Sequence, residues 1–522
     1  MRSLAVITIV FGVGCGATTA RRVGPGGGGG GGDGSDMAVS FADDGGGGDN
    51  SCDPMGPPQC EGQSVVKTCR PDGTGWDSAP CPDGAQCVGG QCTCTPGDRQ
   101  CDGQDIQVCG MDNMFHVEST CPDGTVCGNG LCGEMRCPDE TVSTNPNALP
   151  TIGWPRFRHD NRNSGASPVA LADMPKLKWK VKIGGATLNG ALGGLGSGPV
   201  VNQNDIIFIG GGDLSNGGSL MSLDIMGKVL YTFPAQRGFG SSTPAVRADG
   251  TAYFASQNAK LYAVDPKGMQ QWTYQTGSQA DGDPIVTKDG NLIYSSDDGS
   301  LYALSPKGVL LWKSTANGGP GEVDGGLAET CDGKIIAAGG NGWYALDAKT
   351  GMTLWSHAAT GTFRAILSSP VVTADGRVFG FDGGGQGIAF DSTGKVLWMK
   401  QIGVGGAGSS VGIMAGVLYT ALNDGAIHAV DAATGNEKWK VQINNHAREI
   451  GCAPITDGNQ RIYINSSDGF IYAFDTAGKQ LWKLPHSGVD TSGATDIAGT
   501  MAIGKDGTLY VPGNDGILYA YQ

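Results

Sequence analysis

From about residue 176 to the end of the chain, runs of alternating apolar and polar residues recur at a nearly constant spacing. The run Leu261-Tyr262-Ala263-Val264 has the period of two that places successive side chains on opposite faces of a β-strand. Each run leads into a turn and then into an aromatic residue. In register, the units read SLMSLDIMGKVLY, KLYAVDPKGMQQW, SLYALSPKGVLLW, GWYALDAKTGMTLW, GIAFDSTGKVLW, AIHAVDAATGNEKW and FIYAFDTAGKQLW. This pattern predicts repeated β-hairpins and an all-β fold.

The aromatic residue that ends each unit gives the length of the repeat. From Tyr231 through Trp272, Trp312, Trp355, Trp398, Trp439 and Trp482, the spacings are 41, 40, 43, 43, 41 and 43 residues. A period in the low forties is typical of a propeller blade of four strands. We expect each aromatic residue to wedge between neighbouring blades, because the faces of a blade are buried against the next one.

The turns between the predicted strands have suitable residues. Asp265-Pro266-Lys267-Gly268 fits a type I turn, with Pro at the second position and Gly at the last. Pairs such as Asp249-Gly250 and Asp289-Gly290 recur where a tight hairpin needs a positive φ. The glycine runs at 210–212 and 383–385 are interpreted as turns between strands.

The number of repeats predicts eight blades. Innermost strands are expected to start near Pro199, Pro244, Pro284, Leu327, Pro370, Val411, Pro454 and Met501. The last repeat ends at Gln522 without a Trp, whereas the first Trp unit, residues 177–183 around Trp179, has no preceding strands. These two halves are expected to complete one blade and to close the ring, which removes free sheet edges.

Cysteines are concentrated ahead of the repeats and predict two small disulfide-rich modules, residues 52–93 and 94–137. Each module has six cysteines and ends in the spacing C-x11-C-x5-C-x4-C. They are Cys52, Cys60, Cys69, Cys81, Cys87 and Cys92 in the first, and Cys94, Cys101, Cys109, Cys121, Cys127 and Cys132 in the second. A module of about 40 residues buries too little apolar surface to fold without such links.

The pairing of these cysteines is open, because six cysteines allow 15 connectivities. Zinc binding is the disfavoured alternative, since the modules have no Cys-x-x-Cys pair and His116 is their one histidine. Cys137, Cys331 and Cys452 remain beyond Cys15 and these twelve. Their odd number indicates a free thiol or a covalently held partner, and the two propeller cysteines could equally be small buried residues. The density of cysteines indicates an oxidising compartment.

The N-terminus indicates export. Arg2 precedes a short apolar run, residues 4–13, which ends at Gly14-Cys15 and resembles a bacterial lipoprotein signal with Cys15 as the lipidated residue. Cleavage after Ala20 is the alternative. The glycine-rich stretch 16–51 is expected to be a flexible linker, and residues 138–175 connect the modules to the propeller at 176–522.

Composition excludes one class of partner. The net charge of −15 argues against sequence-independent binding of nucleic acid, which needs a basic face. Within the connector, Trp154 to Ser167 (WPRFRHDNRNSGAS) includes an Arg158-His159-Asp160 string that suggests chemistry, but we expect this stretch to pack against the propeller.

Over roughly residues 150–522, the repeats resemble pyrroloquinoline-quinone (PQQ) type propellers, and the stretch from Trp154 to Ser167 resembles the lead-in segment of such proteins. They also resemble the propeller lipoprotein of the outer-membrane β-barrel assembly machinery, a scaffold without enzyme activity. The Cys-rich modules resemble short repeats of bacterial surface proteins. The resemblance implies an eight-bladed fold, and either a binding scaffold or a PQQ- and calcium-dependent oxidoreductase.

We favour the scaffold, because the chain lacks adjacent cysteines, a Cys-x-x-Cys-His haem motif and an EF-hand spacing. Under this hypothesis, the protein is not an enzyme and has no cofactor or metal. It is expected to bind an envelope or extracellular protein while anchored to the outer membrane or cell surface. A passive envelope component is a third hypothesis. The candidate binding face comprises loop residues ahead of the innermost strands, namely Arg237, Phe239, Asp283, Glu322, Asp324, Arg364, His446, Arg448 and Asp496.

Overall fold

The computed structural model describes two parts of the chain, residues 53–134 and residues 153–522. The first part omits 62–64, 73, 82–85, 89–90, 95, 98, 103, 122–124 and 129–130, and the second omits 184–185, 189–190, 194–196, 214–216, 236–242, 280–281, 315–325, 340–341, 359–367, 383, 405–409, 444–452, 467, 487–499 and 514. The described residues fall into two compact units, one within 29–135 and one within 136–522. Their secondary structure consists of strands and turns without a helix, as the sequence predicts, so they contain no helix that could cross a membrane.

The first unit contains the same small motif twice, a three-stranded antiparallel sheet followed by a hairpin. The first copy has β1 (Gln59–Glu61), β2 (Val65–Cys69), β3 (Trp76–Pro80), β4 (Gln86–Val88) and β5 (Gln91–Thr93). The second has β6 (Arg99–Asp102), β7 (Asp105–Cys109), β8 (Phe115–Thr120), β9 (Thr125–Gly128) and β10 (Leu131–Glu134).

Disulfides join the strands within each copy. In the first, Cys60 of β1 bonds Cys87 of β4, and in the second, Cys94 bonds Cys109 of β7. Cys69, Cys81, Cys101 and Cys121 are also disulfide-bonded, so the zinc interpretation is wrong for the described cysteines. The known bonds link the second to the fifth cysteine in one copy and the first to the third in the other. If both copies share one pairing, the fourth and sixth cysteines complete it.

The second unit is a ring of eight four-stranded antiparallel sheets, as the count of repeats predicts. Blade 1 is β14 (Val200–Val201), β15 (Ile207–Asp213), β16 (Gly217–Leu223) and β17 (Val229–Pro234); blade 2 is β18 (Ala245–Val246), β19 (Ala252–Ser256), β20 (Lys260–Val264) and β21 (Gln270–Gln275); blade 3 is β22 (Ile285–Val286), β23 (Leu292–Ser296), β24 (Ser300–Leu304) and β25 (Leu310–Ser314); blade 4 is β26 (Ala328–Glu329), β27 (Lys334–Gly339), β28 (Gly342–Asp347) and β29 (Thr353–Ala358).

The remaining blades follow the same order. Blade 5 is β30 (Val371–Val372), β31 (Val378–Phe381), β32 (Gln386–Phe390) and β33 (Val396–Gln401); blade 6 is β34 (Gly412–Met414), β35 (Val417–Ala421), β36 (Ala426–Asp431) and β37 (Glu437–Gln442); blade 7 is β38 (Ile455–Thr456), β39 (Ile462–Ser466), β40 (Phe470–Phe474) and β41 (Gln480–Pro485); blade 8 is β42 (Ala502–Ile503), β43 (Leu509–Pro512), β44 (Ile517–Tyr521) and β11 (Leu177–Lys182). A hairpin of β12 (Ala186–Leu188) and β13 (Ala191–Gly193) precedes blade 1.

The two ends of the propeller meet in blade 8, which confirms the predicted closure. β11 pairs with the last strand of the chain, with Trp179 opposite Ala520 and Lys182 opposite Ile517. Backbone hydrogen bonds in both directions between Lys176 and Gln522 extend the pairing by one residue. The ring is therefore closed by a sheet that contains both ends of this unit.

Apolar side chains of adjacent blades form the core. One cluster combines Val200 and Phe208 of blade 1 with Val246 and Phe254 of blade 2, and further clusters repeat this arrangement around the ring. Innermost strands are buried at both faces, whereas outermost strands alternate exposed and half-buried residues, as in β21. The packing explains why the sequence repeats as apolar runs followed by an amphipathic strand.

Tryptophans wedge between blades as predicted. The indole of Trp272 in blade 2 donates to the carbonyl of Pro306 in the turn of blade 3 (3.0 Å), and a Cβ added to Gly308 of that turn would lie 2.6 Å from the ring. Trp312 bonds Ala348 and packs on Gly351 of blade 4 in the same way. The turn glycine, with φ near +80° or +71° at these positions, is required both for the turn and for this close approach.

One prediction about glycines is wrong. Residues 210–212 are not a turn but the centre of β15. A Cβ on Gly211 would lie 2.6 Å from the side chain of Ile183, so the strand needs glycine because the segment after β11 packs directly on it. In the other run, Gly385 adopts a positive φ in the turn between β31 and β32, as predicted, and Gly383 lies outside the described residues.

Candidate functional site

A single stretch of the connector, residues 154–167, runs around the inside of the ring; we call it the axial segment. Its backbone hydrogen-bonds the free edge of the innermost strand in six of the eight blades. The pairs are Trp154 with Val201, Pro155 with Val246, Asn161 with Glu329, Arg162 with Val372, Ser164 with Ile413, and Gly165 and Ser167 with Thr456. Packing against the propeller was predicted from the sequence, and this contact confirms it.

Two arginines of the axial segment are fully buried in the ring. Arg158 donates from Nη2 to the carbonyl of Val411 (2.6 Å) and from Nη1 to that of Pro454 (3.1 Å), which belong to blades 6 and 7. Arg156 donates from Nη2 to Leu327 of blade 4 (3.1 Å) and from Nη1 to Asn163 (2.7 Å). Because these carbonyls directly precede innermost strands, each guanidinium ties its segment to the blades and satisfies buried backbone acceptors.

Burial lowers the pKa of Arg156 to about 10 and that of Arg158 to about 9, so both remain charged at neutral pH. Asp283, Asp160 and Glu329 partly oppose this effect at Arg156. The backbone turns tightly here, with positive φ at Arg158 and His159. With Arg162, the axial segment has three buried cations whose charges act on the carboxylates of Asp160, Asp283 and Glu329.

The carboxylates are already used as hydrogen-bond acceptors. Asp160 accepts from the hydroxyl of Ser164 (2.6 Å), and its pKa is lowered because the bonds and charges of His159, Arg162 and Ser164 outweigh the desolvation that would raise it. Glu329 accepts from Asn161 Nδ2 (2.8 Å), and burial raises its pKa to about 7. Asn161 also donates to the carbonyl of Val286 in blade 3 (2.8 Å), a blade that the backbone of the axial segment does not reach among the described contacts.

A second set of hydrogen bonds joins residues that lie two positions before the innermost strands of consecutive blades. In each bond, the backbone N–H of one such residue donates to the side chain of its counterpart in the next blade. The four bonds run from Gly198 to Thr243 (3.2 Å), Thr243 to Asp283 (2.5 Å), Gly326 to Ser369 (2.7 Å) and Ser369 to Ser410 (3.2 Å). We call these residues the belt. They are buried, and the belt holds the loop side of the ring together.

Of the nine residues predicted for the binding face, the structure describes Asp283. It belongs to the belt and is 3% exposed, so its position is at the base of a loop and not on the open surface. Its role in binding stays a prediction. The other eight lie outside the described residues: Arg237, Phe239, Glu322, Asp324, Arg364, His446, Arg448 and Asp496. The same holds for Cys15, Cys52, Cys137 and Cys452, whereas Cys331 is disulfide-bonded and neither a free thiol nor a simple buried residue.

The axial segment and the belt were not predicted as hydrogen-bonded systems. Their acceptors are mostly backbone carbonyls, which leave no signal in the sequence. The one available signal was a polar residue one position before several of the expected strand starts, as in Thr243, Ser369 and Ser410. Calcium takes six to eight oxygen ligands, and the axial carboxylates are engaged by protein donors; no group of three metal-ligating side chains occurs within the described residues.

The ring of four-stranded blades, the Trp wedges and the shared closing blade define a β-propeller of the PQQ-like repeat class. The family model described as "Outer membrane protein assembly factor BamB" matches residues 172–294, 216–379, 297–411 and 388–522. The chain belongs to this family. No curated protein sequence matches it.

Similar solved structures include a BamB protein and two dehydrogenases. BamB from Moraxella catarrhalis is 16% identical, with 67% of this chain and 100% of that chain covered at a TM-score of 0.52. Quinohemoprotein alcohol dehydrogenase from Comamonas testosteroni is 13% identical, with 73% and 82% covered at 0.57. A europium-containing methanol dehydrogenase is 13% identical, with 71% and 98% covered at 0.54. At these identities the likeness establishes the fold alone.

Proposed function

We propose that this chain is a non-catalytic, extracytoplasmic β-propeller scaffold that binds a protein partner with the loops ahead of its innermost strands. One observation carries the proposal: the axial segment occupies the inside of the ring and takes up the hydrogen-bonding edges of the innermost strands. The propeller axis is thereby used for internal structure. Recognition is left to the outer surfaces and to the loops, which a rigid ring presents in fixed positions.

The BamB family match supports a role in protein interaction, and the disulfide-rich modules support an oxidising, extracytoplasmic location.

Anchoring through Cys15 completes the proposal. Replacing Cys15 by Ser in the exporting cell is expected to move the protein from the membrane fraction to the soluble one. Retention of Cys15→Ser in the membrane fraction would remove lipid anchoring from the proposal and leave the scaffold role intact.

The partner can be sought by site-specific photo-cross-linking in the living cell. A photoreactive residue at Arg448, on the predicted binding face, is expected to give one defined adduct with another envelope protein. The matched control is Lys349, which lies in an exposed turn between the third and fourth strands of blade 4. Equal adducts from both positions, or none from Arg448 and the other loop positions, would contradict a loop-face scaffold.

The alternative is a PQQ-dependent oxidoreductase, which the likeness to two dehydrogenases favours. It predicts turnover of alcohols or sugars with an artificial electron acceptor when PQQ and calcium are added. The scaffold proposal predicts none. Activity that depends on PQQ and calcium and is lost in Asp283→Asn would overturn the scaffold proposal, provided that the variant melts like the wild type.

A further inference from the structure

The repeats of the ring act as internal references, because a residue that departs from its counterparts in the other blades marks a feature of its own blade. The turn between the first and second strands begins with equivalent residues in seven blades, each of which closes the turn with a backbone bond to the residue four positions on. These residues are Asn202, Arg247, Thr287, Thr330, Thr373, Asp457 and Gly504. Arg247 is the one cation among them.

Arg247 lines a cavity of about 500 Å³ at the seam between blades 2 and 3. The cavity also has Lys267 from the last turn of blade 2, Lys307 from the last turn of blade 3, and the ring of Trp272 between them. Its size lies within the range of sites for small ligands or short peptide segments, roughly 300–1,000 Å³. We call it the seam groove.

The walls of the seam groove are held in place by the wedge that joins the two blades. Trp272 donates to the carbonyl of Pro306 (3.0 Å) and packs on Gly308, and both lysines follow a proline within their turns. Arg247 is fixed from behind, since Nη1 donates to the hydroxyl of Tyr253 (2.8 Å) and Nη2 contacts Asp249 (2.6 Å). The cationic groups are thus presented by a rigid surface.

The charges of the seam groove favour an anion. Its lining has Lys267, Lys307 and Arg247 beside one carboxylate, Asp265, which already accepts hydrogen bonds from the backbone N–H groups of Lys267 (3.0 Å) and Met269 (3.2 Å). Arg247 is 5% exposed and paired with Asp249, so the two lysines supply the available positive charge. Both lysines are exposed, and neither forms an ion pair with a described residue. In a chain with a net charge of −15, this local excess of positive charge is not a consequence of composition.

We propose that the seam groove binds the carboxylates of an acidic peptide segment, with Lys267 and Lys307 pairing its charges and Trp272 packing against its apolar atoms. Carboxylates suit this set because ammonium groups pair with them. The proposal rests on the proposed scaffold function and names the chemistry of one partner surface. The adjacent seam, between blades 3 and 4, has Thr287 in place of Arg247 and is the natural comparison.

Isothermal titration of the full, oxidised chain with a capped pentaglutamate peptide tests the proposal. The wild type is expected to bind it saturably, and the double variant Lys267→Ala/Lys307→Ala is expected to lose affinity by about tenfold or more, because both exposed pairing charges are gone. Lys349→Ala removes the equivalent turn lysine of blade 4 and is expected to bind as the wild type does. Arg247 is left unchanged, since its loss would also free Tyr253.

The ligand controls separate charge from size and source. A capped pentaglutamine peptide is expected not to bind, whereas binding of small tricarballylate as tightly as the peptide would assign the groove to free carboxylates instead of a protein segment and overturn the peptide proposal. No saturable heat from pentaglutamate up to about 10 mM, a weak-binding limit near 3 kcal/mol of affinity, or equal affinity in the double variant, would overturn it as well.

The same variants keep this proposal distinct from the scaffold proposal. PQQ itself has three carboxylates, so it could raise the melting temperature by entering the seam groove without any catalysis. A PQQ-dependent shift that disappears in Lys267→Ala/Lys307→Ala belongs to the groove, and one that persists belongs elsewhere. Turnover with an electron acceptor would overturn the scaffold while leaving the groove intact, whereas failed peptide binding would overturn only the groove.

Discussion

The two units of this chain solve the problem of stability in opposite ways. Among the described residues of the modules, the buried apolar positions are Ile106 and five cysteines, whereas the propeller buries aliphatic and aromatic side chains throughout every blade. The modules therefore depend on covalent links, and the propeller depends on packing between repeats. A propeller repeat is therefore stabilised by burying its apolar surface against neighbouring repeats, whereas a short isolated module has no neighbour that could bury its surface.

Reduction of the disulfides should produce the largest difference in folding between the two units. With excess reductant at neutral pH, the modules are expected to lose their fold, because each native disulfide of a small domain contributes about 2–5 kcal/mol. The propeller is expected to keep a cooperative transition although the disulfide of Cys331 is reduced as well, because apolar packing holds its blades together. Hydrogen exchange read by mass spectrometry checks both at once, with rapid exchange expected in 53–134 and protection retained in the blades. Protected modules after verified reduction would contradict the comparison.

Peptide mapping of the oxidised protein tests the pairing. If both modules share one pairing, we expect links of Cys52 with Cys69, Cys81 with Cys92, Cys101 with Cys127 and Cys121 with Cys132, beside the bonds Cys60–Cys87 and Cys94–Cys109. A link between the two modules would show that they are not independent copies of one motif.

Within the propeller, the axial segment is expected to give the largest effect of a single substitution. Arg158→Met removes a buried cation but leaves the carbonyls of Val411 and Pro454 without these donors. We expect a loss of about 3–5 kcal/mol in the free energy of unfolding, measured by urea denaturation of the propeller transition. Lys349→Met, at a position exposed to solvent, is the control and should change little. A loss below about 1 kcal/mol would mean that the blades close without the axial segment.

These contrasts also define what the sequence could predict. The Trp spacing and the divided last blade predicted eight blades and their closure, because both depend on residues that repeat along the chain. The path of Arg156 and Arg158 could not be predicted, since their acceptors are backbone carbonyls brought together only when the ring closes. Gly211 was misinterpreted for a similar reason: its packing partner, Ile183, is distant in sequence and approaches through the closing blade. For the binding face, Asp283 was predicted as a loop residue, but its part in the belt depends on the backbone of the preceding blade.

A pair of glycines isolates the contribution of the Trp wedge. Gly351 and Gly333 both have positive φ, +71° and +81°, but a Cβ on Gly351 would lie 2.5 Å from Trp312, whereas one on Gly333 would meet only the end of Lys288 at 4.0 Å. Gly333→Ala should cost about 1 kcal/mol from backbone strain alone. Gly351→Ala should cost a further 1–3 kcal/mol, roughly the range for overpacking a core. Equal losses in thermal or urea unfolding would show that the wedge adjusts freely.

The smallest expected effect is a change in the pH dependence of the free energy of unfolding, and it is confined to the propeller. Burial raises the pKa of Glu329 to about 7, above its ordinary value of 4.5, so the folded state binds this proton more tightly than the unfolded state does. The contribution of Glu329 to stability must then fall as pH rises from about 4.5 to about 7 and level off above that value, and the share lost between pH 6 and pH 8 is about 1 kcal/mol.

Glu329→Gln keeps an acceptor for Asn161 but cannot ionise. Its propeller should therefore match the wild type near pH 5 and lack this part of the decline by pH 8, measured as urea midpoints at each pH. The modules are the internal control, since they contain neither Glu329 nor its partners. Identical pH profiles for the wild type and Glu329→Gln would mean that Glu329 ionises alike in both states, and that the axial segment does not keep water from it.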